Sequence, residues 1–139
     1  MNEDRLIAVY DKTHGYCHIC HKKLSLKNYG KNNEKGAWHI EHSIPKAKGG
    51  TDHLNNLFPA CIPCNLEKGT LHNRVVRKRY GTTRAPYSKT KKDQIRSENT
   101  LSGGIVGFVA GLICGGTPLA IAACTAIGAK IGNDTSVKR

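Results

Sequence analysis

Acidic and apolar residues are both scarce in this chain. Its 139 residues include 10 Asp and Glu against 22 Lys and Arg, so the formal net charge is +12. Such a shortage of acids favours a polyanionic partner, of which nucleic acid is the commonest, although charge alone does not separate DNA from RNA or from an anionic membrane. Only 38% of the residues are hydrophobic, which excludes more than one modest core and makes a metal cross-link useful.

The chain also lacks an apolar run at its start. Residues 1–10 contain three charged residues, so no secretory signal peptide is expected and the protein is predicted to be cytoplasmic. In that compartment six cysteines favour metal ligands, whereas the alternative, a disulfide framework, belongs outside the reducing cytosol. Two of the six, Cys114 and Cys124, lie in an apolar stretch where a free thiol behaves as a small hydrophobic group.

The other four cysteines form two Cys-x-x-Cys pairs, Cys17/Cys20 and Cys61/Cys64. Each pair can span one edge of the tetrahedron that a structural zinc requires, with Zn–S bonds of about 2.3 Å. A zinc ribbon that only binds a partner would show the same pairs. However, 40 residues separate the two pairs, more than a simple zinc finger encloses, so the insert is expected to have structure of its own.

The pattern within and after the insert predicts the order strand, loop, strand, helix. Residues 37–42 and 57–60 are predicted strands, and the glycine-rich segment 45–56 between them is a predicted loop. A single helix is predicted from about Cys64 to Tyr80, because a proline suits its first turn and basic residues suit its last.

Four motifs follow one another in this region: Glu41-His42-x-Ile-Pro, Gly49-Gly50-Thr51, Asn55-Asn56-Leu57 and Cys61-x-x-Cys64-Asn65-x-x-Lys68. In this order they resemble the HNH endonuclease family over about residues 15–69. The resemblance implies an α+β fold, namely a small ββα-metal domain stabilised by a four-cysteine zinc. It also implies hydrolysis of DNA phosphodiester bonds.

The resemblance assigns roles to individual residues. His42 takes the position of the general base, and Asn56 that of the residue that fixes the loop and orients this histidine. Glu41 and Asn65 take the positions of the ligands of the catalytic ion, although the family usually has Asp or His where Glu41 stands. Because carboxylate and amide oxygens are hard donors, that ion is expected to be Mg²⁺ or Mn²⁺. Two further residues are expected beside the site: His39 and Lys68.

Basic residues in and after the motifs are expected to contact DNA phosphates. They are Lys46, Lys48, Arg74, Arg77, Lys78 and Arg79. Three other histidines, His18, His21 and His53, are expected to face solvent, although the first two could replace a cysteine as zinc ligands.

The last part of the chain differs in composition, since residues 99–129 contain no charged residue. Small residues recur here every four positions: Gly103, Gly107, Gly111 and Gly115, and then Gly116, Ala120, Cys124, Gly128 and Gly132. Because each glycine costs about 1 kcal/mol in an exposed helix, such rows predict two closely packed helices, a glycine-zipper hairpin that turns at residues 115–118. The predicted domains are a zinc-containing nuclease domain at 1–80, a basic linker at 81–98, the hairpin at 99–132 and a basic tail at 133–139.

Basic segments on both sides of the hairpin favour its association with the cytoplasmic face of the inner membrane. Each arm is only about 15 residues long, against the ~20 that cross a bilayer, so a soluble hairpin that associates with a second copy is the alternative. A membrane-bound nuclease would meet entering foreign DNA. Two other functions remain open: a non-catalytic zinc-dependent nucleic-acid-binding module, and a membrane-active toxin in which the hairpin acts.

Overall fold

The computed structural model describes residues 2–113 and 117–134. The chain divides into two compact units, Met1–Lys89 and Thr90–Arg139. The first unit contains both cysteine pairs and all four motifs, and the second contains the uncharged glycine-rich segment.

The first unit combines three helices with a two-stranded sheet. Its elements are α1 (Glu3–Asp11), β1 (Trp38–His42), β2 (Leu57–Cys61), α2 (Ile62–Lys68) and α3 (Asn73–Arg79), with short 3₁₀ turns at Leu26–Asn28, Lys46–Lys48 and Leu54–Asn56. The strands pair antiparallel, with Glu41 opposite Phe58 and His42 opposite Leu57. Both predicted strands are confirmed, and their order with α2 is that of a small α+β zinc domain.

The core of this unit surrounds the only tryptophan of the chain. The Trp38 side chain is fully buried, with the rings of Tyr10 and Tyr29 at 5.4 and 5.0 Å between centroids, and its indole N–H donates to the Ser25 carbonyl at 3.0 Å. Aromatic pairs in such tilted arrangements stabilise a core beyond the area that they bury. The remaining buried members include Val9, Ile19, Leu24, Leu57, Ala60 and Val76, together with Cys17 and Cys64. One cysteine of each pair is therefore part of the core.

The prediction of a single helix from Cys64 to Tyr80 is wrong. Helix α2 ends at Lys68 because Gly69 adopts a φ of 45°, which places it outside the helical region and which L residues rarely adopt. Helix α3 then begins after His72, whose Nδ1 accepts a hydrogen bond from the Arg74 backbone N–H at 3.1 Å and so caps the new helix. The break allows α3 to pack its Val76 side chain into the core.

The second unit contains α4 (Lys89–Ile113) and α5 (Pro118–Asp134). Helix α4 begins inside the segment predicted as a linker. The two helices approach closely at glycines, since a Cβ added to Gly103 would overlap the Gly128 carbonyl group and one added to Gly107 would overlap the Cys124 carbonyl group. The turn predicted at residues 115–118 and the tail predicted at 133–139 lie partly outside the described residues.

The outer surfaces of these two helices are strongly apolar. Ten large side chains are exposed: Leu101, Ile105, Val106, Phe108, Val109, Leu112, Ile113, Leu119, Ile127 and Ile131. None of the helices formed by residues 2–113 and 117–134 is both long and apolar enough to cross a membrane.

Candidate metal centre and active site

The four paired cysteines meet at one point. Their Sγ atoms all lie within 4.8 Å of one another, and those of Cys20 and Cys61 are 3.6 Å apart. A tetrahedron with Zn–S bonds of about 2.3 Å has edges of about 3.8 Å, so this donor set fits a structural zinc. The first pair is held by a tight knuckle in which Cys17 N–H donates to the Lys22 carbonyl at 2.9 Å, and Cys64 lies in α2.

A cleft of about 220 Å³ lies where β1 ends and α2 passes over it. Five residues that the sequence assigned to the site line this cleft together: Glu41, His42, Lys46, Asn65 and Lys68. The strand supplies the first two, the loop after it supplies Lys46, and α2 supplies the last two because positions 65 and 68 lie on one helix face. His42 also lines a second cleft, of about 450 Å³, with Arg5 and Asp52.

The His42 imidazole is held by a residue that sequence reasoning missed. Its Nε2 lies 2.8 Å from Asp52 Oδ1, and the other oxygen of that carboxylate accepts from Lys46 Nζ at 2.9 Å. The hydrogen bond from His42, followed by that from Lys46, holds the pKa of Asp52 below its usual range, so the carboxylate stays charged at mildly acid pH. The sequence offered one signal for this role of Asp52, namely that it is an acidic residue in the loop that follows the proposed general base.

Asn56 ties the loop that follows His42. Its side-chain oxygen accepts from the Ile44 N–H at 2.7 Å, and its amide group donates to the carbonyls of Ile44 and Thr51 at 3.0 and 2.9 Å. Its backbone carbonyl accepts from the N–H of Ser43, the neighbour of His42, at 2.7 Å. These bonds restrain the backbone immediately after the histidine.

Glu41 is buried, with only 3% of its side chain exposed, and it forms an ion pair with Lys68, whose side chain is 1% exposed. Lys68 Nζ also donates to the His42 carbonyl at 2.9 Å, so this lysine joins two residues of the cleft. The second oxygen of Glu41 lies 2.9 Å from His18 Nε2. Paired charges of this kind are what makes burial of a carboxylate tolerable.

The expectation that His18 faces solvent is wrong. Its side chain is fully buried and stacks on Phe58, with ring centroids 5.2 Å apart. Burial lowers the pKa of His18, because the charged ring would lose its hydration. The error arose because Phe58 of β2 and Arg77 of α3 both contact this histidine, a packing that residue spacing does not show. His53 is exposed, as expected, and His21 is partly buried.

The basic residues expected to contact phosphates differ in their surroundings. Arg77 is half-buried, and its guanidinium donates to the His18 carbonyl at 2.9 Å and lies 2.8 Å from His18 Nδ1. Arg79 pairs with Glu67 at 2.9 Å. The others, Lys46, Lys48, Arg74 and Lys78, are exposed. Arg77 therefore makes an internal contact with His18, and its contact with DNA stays a prediction.

The oxygen donors in the cleft fit a hard divalent ion. A carboxylate offers about four lone-pair positions, so Glu41 can bind a cation while it keeps Lys68 and His18, and the Asn65 side chain lines the same cleft. Two protein oxygens are enough for Mg²⁺, which keeps several waters and binds phosphate oxygens. His39 does not line this cleft. It lines a separate one of about 820 Å³ beside the zinc knuckle.

Comparison with known proteins adds one finding. Residues 17–71 match the family described as HNH endonuclease, which confirms the resemblance that the motifs indicate. The matched segment contains the four clustered cysteines and every residue of the 220 Å³ cleft, and it ends before α3 begins. No curated protein and no solved structure matches the chain.

Proposed function

We propose that the segment matching the HNH endonuclease family is a metal-dependent nuclease that hydrolyses DNA phosphodiester bonds. The observation that carries this proposal is the convergence of Glu41, His42 and Asn65 on one cleft beside a four-cysteine cluster. An imidazole can act as a general base, and carboxylate and amide oxygens can bind a metal ion, which together support hydrolysis of a phosphodiester.

His42 is the proposed general base. A carboxylate only accepts hydrogen bonds, so the contact with Asp52 places the ring proton on Nε2 and leaves the lone pair on Nδ1 to take a proton from water. Imidazole is the side chain that most often takes a proton in general base catalysis. Lys68 and Asn56 bind the two ends of one peptide group, the His42 carbonyl and the Ser43 N–H, and so hold the backbone that follows this histidine.

Glu41 and Asn65 are the proposed ligands of Mg²⁺ or Mn²⁺. When bound, such an ion neutralises charge on the phosphate and stabilises the leaving oxygen. Lys46 and Lys68 also line this cleft, where their ammonium groups pair with Asp52 and Glu41. Exposed Lys48, Arg74 and Lys78 then provide sequence-independent contacts to phosphates that weaken with salt.

The test is conversion of supercoiled plasmid by zinc-loaded protein, with and without added Mg²⁺. His42→Ala is expected to lose cleavage by at least about 100-fold, the usual contribution of a general base, while it keeps zinc and DNA binding. His39→Ala is the matched control, since this histidine lies on the same strand but lines a different cleft. A zinc-loaded wild type that binds DNA and cleaves none with several divalent ions would instead favour the non-catalytic binding module.

We further propose that residues 99–132 form the apolar hairpin and bind the nuclease to the cytoplasmic face of a membrane, where foreign DNA enters. The supporting observation is the set of ten exposed large apolar side chains on α4 and α5. Exposed apolar side chains in such number on two helices are typical of an interaction site. The first turns of α4 are basic, with Lys89, Lys91 and Lys92, which suits anionic headgroups.

Flotation with lipid vesicles tests this second proposal. The full chain is expected to float with vesicles that contain anionic lipid, and a variant with Leu101→Ser, Ile105→Ser and Leu112→Ser is expected to stay at the bottom of the gradient. A wild type that does not float but elutes as an oligomer would favour the self-associating hairpin. Growth arrest on expression that persists in His42→Ala and ends in the triple variant would favour the toxin.

A further inference from the structure

A buried polar chain joins α3 to the proposed metal ligand. It runs from Arg77 through His18 to Glu41 and Lys68, and three of these four side chains are at most 3% exposed. Arg77 lies beyond the segment that matches the nuclease family, which ends at residue 71. The other members lie within that segment. A helix outside the family segment therefore contacts the interior of the proposed site.

The donor and acceptor roles in this chain are determined by chemistry. A guanidinium group only donates hydrogen bonds, so the contact of 2.8 Å between Arg77 and His18 Nδ1 requires that Nδ1 accepts. The ring hydrogen of His18 must then be on Nε2, which lies 2.9 Å from Glu41 Oε2. These two atoms lie at ion-pair distance without the alignment of a hydrogen bond, and among the described residues neither has another hydrogen-bond partner.

Arg77 makes two contacts to His18 at once, through Nε to the carbonyl and through the second nitrogen to the ring. Such a forked contact sets both the backbone and the tautomer of the histidine, which a single ammonium group does not reproduce. Lys68 binds the other oxygen of Glu41. The orientation of the carboxylate is thus defined by one partner on each oxygen.

We infer that Arg77 is a positioning residue of the proposed nuclease site, acting through His18 to orient Glu41 towards the catalytic ion. The inference rests on the proposed function and extends it to a helix that the family segment does not include. Residues that orient a metal ligand in this way change metal affinity or activity by about 10- to 100-fold when they are removed.

The experiment compares two neighbouring basic residues of α3. Arg77→Met removes the inward contact, whereas Lys78→Met removes one positive charge from an exposed side chain of the same helix. Mn²⁺ affinity is measured by electron paramagnetic resonance on zinc-loaded protein without DNA, and kcat and KM are measured on plasmid. For Arg77→Met we expect Mn²⁺ affinity and kcat to fall about tenfold or more, with KM changed by less than about twofold.

For Lys78→Met we expect the reverse pattern, a higher KM and weaker salt dependence with unchanged Mn²⁺ affinity and kcat. Arg77→Gln keeps one donor to His18, so it should lose less Mn²⁺ affinity and kcat than Arg77→Met. It also replaces Arg77→Met in the test if that variant fails to fold. His18→Phe keeps the stacking on Phe58 but has no donor, so it should match Arg77→Met, and the double variant should be no worse than either.

The outcomes separate the two proposals. If wild type cleaves and Arg77→Met behaves like Lys78→Met, the inference is wrong and Arg77 is a phosphate contact, while the nuclease stands. If wild type neither cleaves nor binds Mn²⁺ with intact zinc, the proposed function fails and the inference fails with it.

Discussion

The residue that orients His42 is Asp52, which lies ten positions further along the chain in the loop that carries the two glycines. The contact between His42 Nε2 and Asp52 Oδ1 measures 2.8 Å, and Asp52 is itself exposed. An exposed carboxylate in this position contributes by holding the ring and its tautomer more than by its charge, because water screens that charge.

At the scale of one residue, Asp52→Asn therefore tests whether cleavage depends on the orientation of the His42 ring. The amide can still contact the ring, but it can present a donor and no longer selects one tautomer. We expect kcat to fall by roughly threefold to tenfold, well short of the ~100-fold expected for loss of the base itself, with KM for DNA little changed. Plasmid cleavage at saturating DNA measures this.

Asp11→Asn makes the same chemical change at an exposed position outside the site and should leave both constants unchanged. A kcat of Asp52→Asn equal to that of wild type would show that His42 needs no such partner.

At the scale of elements, the loop between β1 and β2 is as important as the strands. Gly49 has a φ of 80°, in the left-handed region, whereas Gly50 is enclosed. A Cβ on Gly50 would overlap the Ile44 carbonyl oxygen and would lie 2.7 Å from the Ile44 carbonyl carbon and 3.0 Å from Asn56 Nδ2. Gly49 is thus required by its backbone conformation, and Gly50 by the lack of space for a side chain.

Gly50→Ala is expected to displace the loop from Asn56. Overpacking of this kind costs about 1–3 kcal/mol, so we expect the free energy of unfolding of the zinc-loaded protein in urea to fall by that amount. Cleavage should fall with it, since the same loop carries Lys46 and Asp52. Gly49→Ala is the matched control, because nothing lies within 4 Å of its Cβ and only conformational strain of about 1 kcal/mol is added.

If Gly49→Ala impaired cleavage more than Gly50→Ala did, the close approach of Gly50 to Ile44 would not control the loop.

At the scale of the whole molecule, we expect the first unit to depend on a bound metal ion. Its hydrophobic core is small, and two of the four zinc-binding cysteines, Cys17 and Cys64, are members of it. Without a bound ion, no interaction of comparable strength would hold four buried or half-buried thiols within 4.8 Å of one another. Binding of zinc and folding of this unit should therefore be one process.

Removal of zinc with a chelator is expected to unfold the first unit and abolish cleavage. Trp38, the single tryptophan, is fully buried, so its fluorescence should shift to longer wavelength and return when zinc is added back. Cys64→Ser should give the same spectrum. Cys124→Ser, which changes a thiol outside the cluster, should not. An unshifted emission spectrum after complete loss of zinc would mean that the core is stable alone.

The sequence by itself was enough for the features that a fixed residue spacing imposes. The zinc cysteines, the two strands and the family all follow from residues that lie close together or from fixed offsets, because metal geometry and strand alternation impose such offsets. The boundary between α2 and α3 was also local, but the signals of Gly69 and His72 were weaker than the helical composition around them.

Only the tertiary structure decided which partners these residues have. Arg77 contacts His18 across 59 positions, and Lys68 contacts His42 across 26. No periodic pattern connects residues so far apart, since their contact depends on how α3 packs against the zinc knuckle and how α2 crosses β1. His18, which was expected at the surface, is thus buried against Arg77, which was expected on DNA, because a buried polar group requires a partner that only packing can bring near.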